Sequence, residues 1–323
     1  MPNPSHLTRG YTTAVISAAI LSTTSVIIRH LTQTYHLPAL ILACWRDFFV
    51  FLTLLPILAV GRSSLLQVNA PDLRYLVLYG LVLAIFNSLW TLSVSINGAA
   101  VSTVLAYCSA GFTALLGWWF LKERLGWGKL LAVTLSLAGC VLVAGALNPV
   151  AWRLNLLGII TGILSGLGYA IYTLMGRSAS QRGLNPWTTL LYTFGFATLF
   201  LLAFNLLSRD QIPGAAARPA DLFWLGKAWA GWGILFLLAA GPTLAGFGLY
   251  NISLAALPSS VVNLVVTLEP VFTAVIAYFL LGERLTWIQI IGGLLILGGV
   301  VFLRIYEDRL TGPERPGVEP VAL

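Results

Sequence analysis

The residues best placed to do chemistry lie in the stretch LEPVFTAVIAYFLLGERLTW, residues 268–287, where Glu269 immediately precedes Pro270 inside an apolar run. The run reaches back to Pro258, which puts Glu269 roughly 16 Å along a helix rising about 1.5 Å per residue. That is close to the middle of a hydrocarbon layer about 30 Å thick. An ionised carboxylate at that depth costs at least about 3 kcal/mol. Pro270, moreover, has no N–H to offer the carbonyl of Val266. Charge and carbonyl both need a partner inside the protein or a wet cavity. An acid held this way can carry a proton across the layer or bind a polar solute. Arg46 lies at a similar depth in another apolar run, so Arg46 and Glu269 are the expected coupling residues and a candidate ion pair. Asp47 is expected to be the poorer partner for Arg46, because adjacent helix residues point apart.

Polar and aromatic positions surround these charges in the sequence. Asn87, Trp90, Tyr107 and Ser109, with Ser102 and Thr113 beside them, come from the third and fourth apolar runs. Tyr169, Tyr172, Tyr250, Asn251, Asn263 and Thr267 come from the sixth, eighth and ninth. Asn263 and Thr267 stand four residues apart and share a helix face. Amides at membrane depth need partners, so the three asparagines should face inward. Apart from Ser102 and Thr113, these are the expected substrate-binding residues. No catalytic or metal-ligand cluster is expected. His6, His30 and His36 are scattered, and Cys44, Cys108 and Cys140 sit in apolar runs as packing residues. The Gly-x-Gly stretches are embedded in apolar helices with no strand before them, so no nucleotide cofactor is expected.

The elements that must position these residues are membrane helices. Of 323 residues, 58% are hydrophobic and only 9% charged, where a soluble domain carries about 25% charged residues. A net charge of +7 brings no nucleic-acid partner, since no basic run exceeds two residues. Ten apolar stretches are of helical length: 10–31, 38–60, 73–95, 98–121, 127–146, 155–177, 185–207, 229–253, 258–281 and 286–304. MPNPSHLTRG carries no cleavage pattern, so the first stretch is read as a retained span. The fold expected is an all-α membrane protein of ten transmembrane helices. It would have a cytoplasmic N-terminus (1–9) and a disordered cytoplasmic tail (306–323). Eleven of the 18 Lys and Arg residues fall on the side of the N-terminus, which favours both termini in the cytoplasm.

The chain also repeats itself. WWFLKERLGW at 118–127 answers YFLLGERLTW at 278–287, an offset of 160, at which Gly139 meets Gly299 and Ser93 meets Ser253. Nearer the start of each half the offset is 148, pairing Gly10 with Gly158, Arg29 with Arg177 and Pro38 with Pro186. Two units of five spans, 10–146 and 153–305, enter the bilayer from opposite faces because five is odd. Inverted repeats of this kind build secondary transporters, with solute held near the midplane between the halves. Gly241-Pro242 in the eighth span suggests a kink or hinge. Trp118, Trp119, Trp127 and Trp287, at span ends, read as interfacial anchors.

With these tokens, and with ACWRDFF at 43–49 and GLYNISLAALPSSVV at 248–262, nearly the whole chain resembles the EamA family of the drug/metabolite transporter superfamily. The resemblance implies a ten-span carrier of the inner membrane that exports small polar metabolites, amino acids or their derivatives first among them, by alternating access. It also places an acidic residue after the fourth helix of each unit, here Glu123 and Glu283. The first unit departs from the second in carrying Ser109 and Ala110 where the second has Glu269 and Pro270. Partners expected are a small-molecule substrate and the lipid bilayer, for a monomer or homodimer. The alternatives are an efflux carrier for drugs or amphipathic compounds, a channel, and a membrane-embedded enzyme. The enzyme lacks a loop with paired acids, and the channel lacks a continuous polar stripe.

Overall fold

A computed structural model describes residues 4–97, 99–123, 125–143, 156–207, 211–281 and 286–311. Glu283, the tail beyond Thr311 and the segment 144–155 lie outside the described residues. The described residues form helices and turns with no strand, as a chain this apolar must if its backbone is to satisfy itself in lipid. The first half contains α1 (Pro4–Thr34), α2 (Ala39–Gly61), α3 (Ala70–Asn97), α4 (Ala99–Tyr107), α5 (Ser109–Phe120) and α6 (Trp127–Val143). The second contains α7 (Leu156–Gln181), α8 (Pro186–Leu207), α9 (Trp229–Leu238), α10 (Leu244–Ala256), α11 (Ser259–Val266), α12 (Glu269–Leu281) and α13 (Trp287–Thr311). Six segments are long and apolar enough to cross a membrane: α1, α2, α3, α7, α8 and the joined α9–α10. Shorter apolar helices cover Leu105–Phe120, Trp127–Leu142, Ser259–Thr273 and Ile290–Leu303.

Two stretches expected as single helices are broken at equivalent places. The 98–121 stretch parts at Cys108 into α4 and α5, and 258–281 parts at Thr267–Leu268 into α11 and α12. In the second break Pro270 stands in the first turn of α12, where its missing N–H has no partner to lose. The first has Ala110 there instead, and packing supplies the cause. A Cβ on Gly166 of α7 would lie 3.0 Å from the Leu105 carbonyl oxygen and 3.3 Å from the Ser109 amide nitrogen. The backbone of α7 therefore presses directly on the break. At Gly241-Pro242 the expected kink takes the form of a single π turn, Ala239–Thr243, between α9 and α10. Helix α13 runs on to Thr311, past the expected start of the tail at 306, because the Tyr306 ring packs on Gly128 and stacks with Phe302.

The halves interlock by exchange. Helix α1 packs on α10 as α7 packs on α3, while α2 meets α8, α5 meets α11 and α6 meets α13. Swapping the halves exchanges α1–α10 with α7–α3, turns α2–α8 and α6–α13 into themselves, and turns α5–α11 into the α4–α12 contact, which is also present. The closest approaches follow the same rule. A Cβ on Gly10 would lie 2.7 Å from Leu257 of the other half, and one on Gly158 would run into the side chain of Asn97. Between α6 and α13, a Cβ on Gly139 would lie 2.5 Å from the Gly292 carbonyl, and one on Gly299 would lie 3.0 Å from the Ala132 carbonyl. The polar connection before α9 lies over this assembly, with the Trp45 indole N–H donating to the Leu222 carbonyl at 2.7 Å.

Gly139→Val and Gly299→Val should each destabilise the protein by about 1–3 kcal/mol through overpacking, read as a lowered melting temperature in detergent. Gly298→Val, with nothing within 4 Å of the added carbon, should leave it unchanged.

Candidate functional site

The two helix breaks meet. Tyr107, the last residue of α4, donates its hydroxyl to Glu269 Oε2 at 2.6 Å. Glu269 is the first residue of α12 and only 8% exposed. The first-turn N–H groups of Val271 and Phe272 go to the Leu268 carbonyl at 3.0 and 3.1 Å, so the carboxylate is held by the Tyr107 hydroxyl. One bond thus joins the breaks of the two halves. Its two ends lie on opposite sides of the sequence repeat.

Arg46, 1% exposed, comes from the middle of α2. Its Nε meets Asp47 Oδ1 at 3.2 Å, and Asn87 Nδ2 donates to Asp47 Oδ2 at 2.6 Å. The expectation that adjacent residues point apart is overturned here. Their Cβ directions do diverge, but the guanidinium stem is long enough to fold back onto its neighbour. The guanidinium carbon stands 5.9 Å from the centre of the Trp90 ring, and Arg46 Nη2 has no hydrogen-bond partner among the described residues.

Arg46 and Glu269 line one cavity of about 40 Å³ without bonding to each other. Asn87, Trp90, Tyr107 and Tyr169, all expected at the site, line it too. Both halves of the chain contribute. The volume holds a few waters and no metabolite. The remaining expected residues lie behind this wall. Ser109 Oγ donates to Asn263 Oδ1 at 3.1 Å, Asn263 Nδ2 to Thr173 at 3.2 Å, and Thr173 pairs with the Tyr250 hydroxyl at 2.5 Å. That chain ties α5, α11, α7 and α10 together. Thr267 Oγ1 donates to the Leu264 carbonyl at 2.6 Å, closing the last turn of α11. The Tyr172 hydroxyl lies beside the Tyr79 hydroxyl and the Asn251 amide, and none of the three has a well-formed hydrogen bond among the described residues.

Sequence reasoning named Asp47 but set it aside as the poorer partner for Arg46, where the structure pairs the two. It missed Thr24, Thr103 and the apolar wall of Leu21, Phe86, Ala106 and Phe247, which single sequences do not distinguish from ordinary core.

A second constellation sits away from the cavity, at the far end of α11. Glu123, in the turn between α5 and α6, accepts hydrogen bonds from Ser259 N (2.8 Å) and Oγ (2.5 Å) and from Ser260 N (3.3 Å) and Oγ (2.6 Å). Lys129 Nζ donates to Ser260 Oγ at 3.0 Å. Burial pushes the Glu123 carboxyl up, but these donors and the Lys129 charge outweigh it and hold the group below the usual carboxylate range.

The sequence profile of the EamA-like transporter family matches residues 8–145 and 156–305, once over each half. The chain belongs to the EamA-like transporter family. It is accordingly a multi-pass membrane transporter with a small-molecule substrate, and not an enzyme. Among this EamA protein's relatives is an uncharacterised transporter of Archaeoglobus fulgidus. It is 30% identical over 296 residues, covering 90% of this chain and 95% of the relative. An S-adenosylmethionine uptake transporter of Rickettsia bellii is 24% identical over 272 residues, covering 83% and 84%. A crystal structure aligns with a TM-score of 0.70 at 15% identity, covering 95% of this chain and 100% of that one, a likeness of fold. The helix pairs that exchange when the halves are swapped fit the two-repeat EamA architecture.

Because its folded-state value is depressed, Glu123 stabilises the fold fully above the unfolded carboxyl value of about 4.3 and loses that contribution as pH falls through the lower folded value. Glu123→Gln should therefore melt lower than the wild type by about 1–3 kcal/mol near neutral pH. The gap should stay constant down to about pH 5 and close below about pH 4. Melting curves of both proteins across that range check this.

Proposed function

We propose that this EamA transporter is a ten-span secondary carrier that exports small polar metabolites, amino acids or their derivatives, across the inner membrane by alternating access. The six long segments and the four shorter ones make ten crossings when α4–α5 and α11–α12 each count as one broken span. Five crossings per repeat invert one half against the other, with units 10–146 and 153–305 and both termini in the cytoplasm. Broken helices whose ends meet at mid-depth are the way such carriers expose backbone and charge to a solute.

The observation that carries this reading is the pair of complementary edges on one buried cavity. Among the described residues, Arg46 Nη2 is a cationic donor with no hydrogen-bond partner, and Glu269 accepts a hydrogen bond from Tyr107. A solute bearing both a carboxylate and an ammonium group fits the two, with the Trp90 ring beside the guanidinium. The S-adenosylmethionine transported by the Rickettsia relative is an amino-acid derivative of that charge pattern. A cavity of about 40 Å³ excludes any such molecule, so loading requires the repeats to part. Arg46 and Glu269 then serve as coupling residues, and Asn87, Trp90, Tyr107 and Tyr169 touch the solute. Ser109, Tyr172, Tyr250, Asn251, Asn263 and Thr267 join the path as it opens. Without an ATP-binding motif, energy comes from a gradient of protons, another ion or the solute itself. A second reading, efflux of amphipathic compounds, is favoured by the aromatic wall of Phe86, Trp90, Tyr169 and Phe247.

Counterflow in proteoliposomes separates these readings. Labelled amino acids should enter faster when the same amino acid is loaded inside. Equal leakage of every solute contradicts a carrier, and stimulation by aromatic amphiphiles alone selects the second reading. Glu269→Gln should abolish dependence of uptake on a pH gradient. Arg46→Gln should cut kcat/KM about tenfold or more for carboxylate-bearing solutes, the loss of a charged hydrogen bond. Uptake that follows the pH gradient unchanged in Glu269→Gln contradicts the coupling role.

A further inference from the structure

We propose that Glu123, Ser259 and Ser260 form a latch between the repeats that closes the transport route at one face only, so that the resting carrier opens preferentially at the other face. The inference rests on the reading of the chain as an alternating-access carrier. It is carried by a contact that reading does not use. Glu123 belongs to the turn that ends the fourth span of the first repeat, and the serines open the ninth span of the second. Four hydrogen bonds converge on the one carboxylate, two from backbone N–H groups in the first turn of α11 and two from the serine hydroxyls. Lys129, only 9% exposed, holds Ser260 from the other side. The fit is close: a Cβ on Gly117 would lie 3.1 Å from Glu123 Oε2 and 3.3 Å from Ser259 Oγ.

The latch and the cavity share a span. From Ser259 to Glu269 is about 15 Å along a helix, so the latch stands at the membrane end of the same element that carries the coupling acid. Opening a route to the cavity from this end pulls the α5–α6 turn away from α11 and breaks the four bonds together. Breaking them strands a carboxylate and two helix N–H groups until water replaces the lost partners. A cluster of this kind is a two-state element.

In sequence, the repeat matches the latch only in part. At the repeat offset of 160, Ser259 corresponds to Ala99, Ser260 to Ala100 and Lys129 to Gln289. Alanine has no hydroxyl, so two of the four donors have no counterpart in the sequence, and Lys129 is matched by a neutral residue; Glu123 is matched by Glu283, which lies outside the described residues. Sequence symmetry is thus broken where it would otherwise make the two closed forms equally stable.

The test needs no knowledge of the solute. Cys44, Cys108 and Cys140 are replaced, a single cysteine is placed in the cavity as Thr24→Cys, and a membrane-impermeant thiol reagent is added to one face of oriented vesicles. In the wild-type background, labelling from the face opposite the latch should be several-fold faster than labelling from the latch face. Glu123→Gln, or Ser259→Ala with Ser260→Ala, should raise labelling from the latch face about tenfold or more. Ala99→Ser with Ala100→Ser should slow it from the other face. Ser260→Ala alone, a milder change, serves where Glu123→Gln fails to elute as a folded protein. Equal labelling from both faces in the wild type, or rates unmoved by these substitutions in folded protein, overturns the latch. Counterflow run on the same vesicles keeps the two ideas apart. Normal counterflow with latch-independent labelling removes the latch alone, and latch-dependent labelling without counterflow removes the carrier.

Discussion

A charge in the middle of a hydrocarbon layer has to be answered by protein, and the rest of this molecule follows from how that is done. Glu269 is buried, and α12 restarts at it, so that its carboxylate faces the break of the other half. Tyr107 supplies the one hydrogen bond from the other half. That bond is possible because the first repeat breaks its own helix at the matching place. Arg46 is answered in the same spirit by Asp47, itself held by Asn87. Each charge is satisfied on one edge and left open towards a common cavity. A site satisfied on every edge would have no reason to bind anything.

Interlocking makes this arrangement stable and also movable. Because α1 packs on α10 and α7 on α3, neither half can close on itself, and the cavity wall is always shared. Small residues at the crossings bring backbones together in the way membrane helices associate. Function then depends on where the symmetry is broken. At the breaks it is Glu269-Pro270 against Ser109-Ala110, which leaves one acid instead of two. Where α11 and α4 begin it is Ser259-Ser260 against Ala99-Ala100, so that the two hydroxyls that Glu123 accepts from are present in one repeat's sequence and not in the other's.

Much of this was legible in the residues. Apolar stretches announce themselves locally, so the helices and the repeat could be read directly. Long-range causes could not. The break at Cys108 has no proline or glycine of its own and is produced by Gly166, far away on α7. The Arg46–Asp47 pair defied a rule about Cβ directions because a long side chain is not bound by them. Ser109, Asn263 and Tyr250 stand out by type, but no local pattern shows that Thr173 links them into one chain of hydrogen bonds behind the cavity wall. Glu123 was recognised by its place after the fourth helix, yet its partners are more than a hundred residues away, and no local pattern points to them.

The central claim is that solute and the Glu269 carboxylate occupy one chamber between the halves. Counting the protons exchanged when a solute identified by counterflow binds the purified protein, in weakly buffered solution near neutral pH, tests it most directly. About one proton per bound molecule is expected for the wild type and none for Glu269→Gln, because the acid is the group whose protonation answers the solute. The same proton count in both proteins, or solute affinity indifferent to both Arg46 and Glu269, contradicts it.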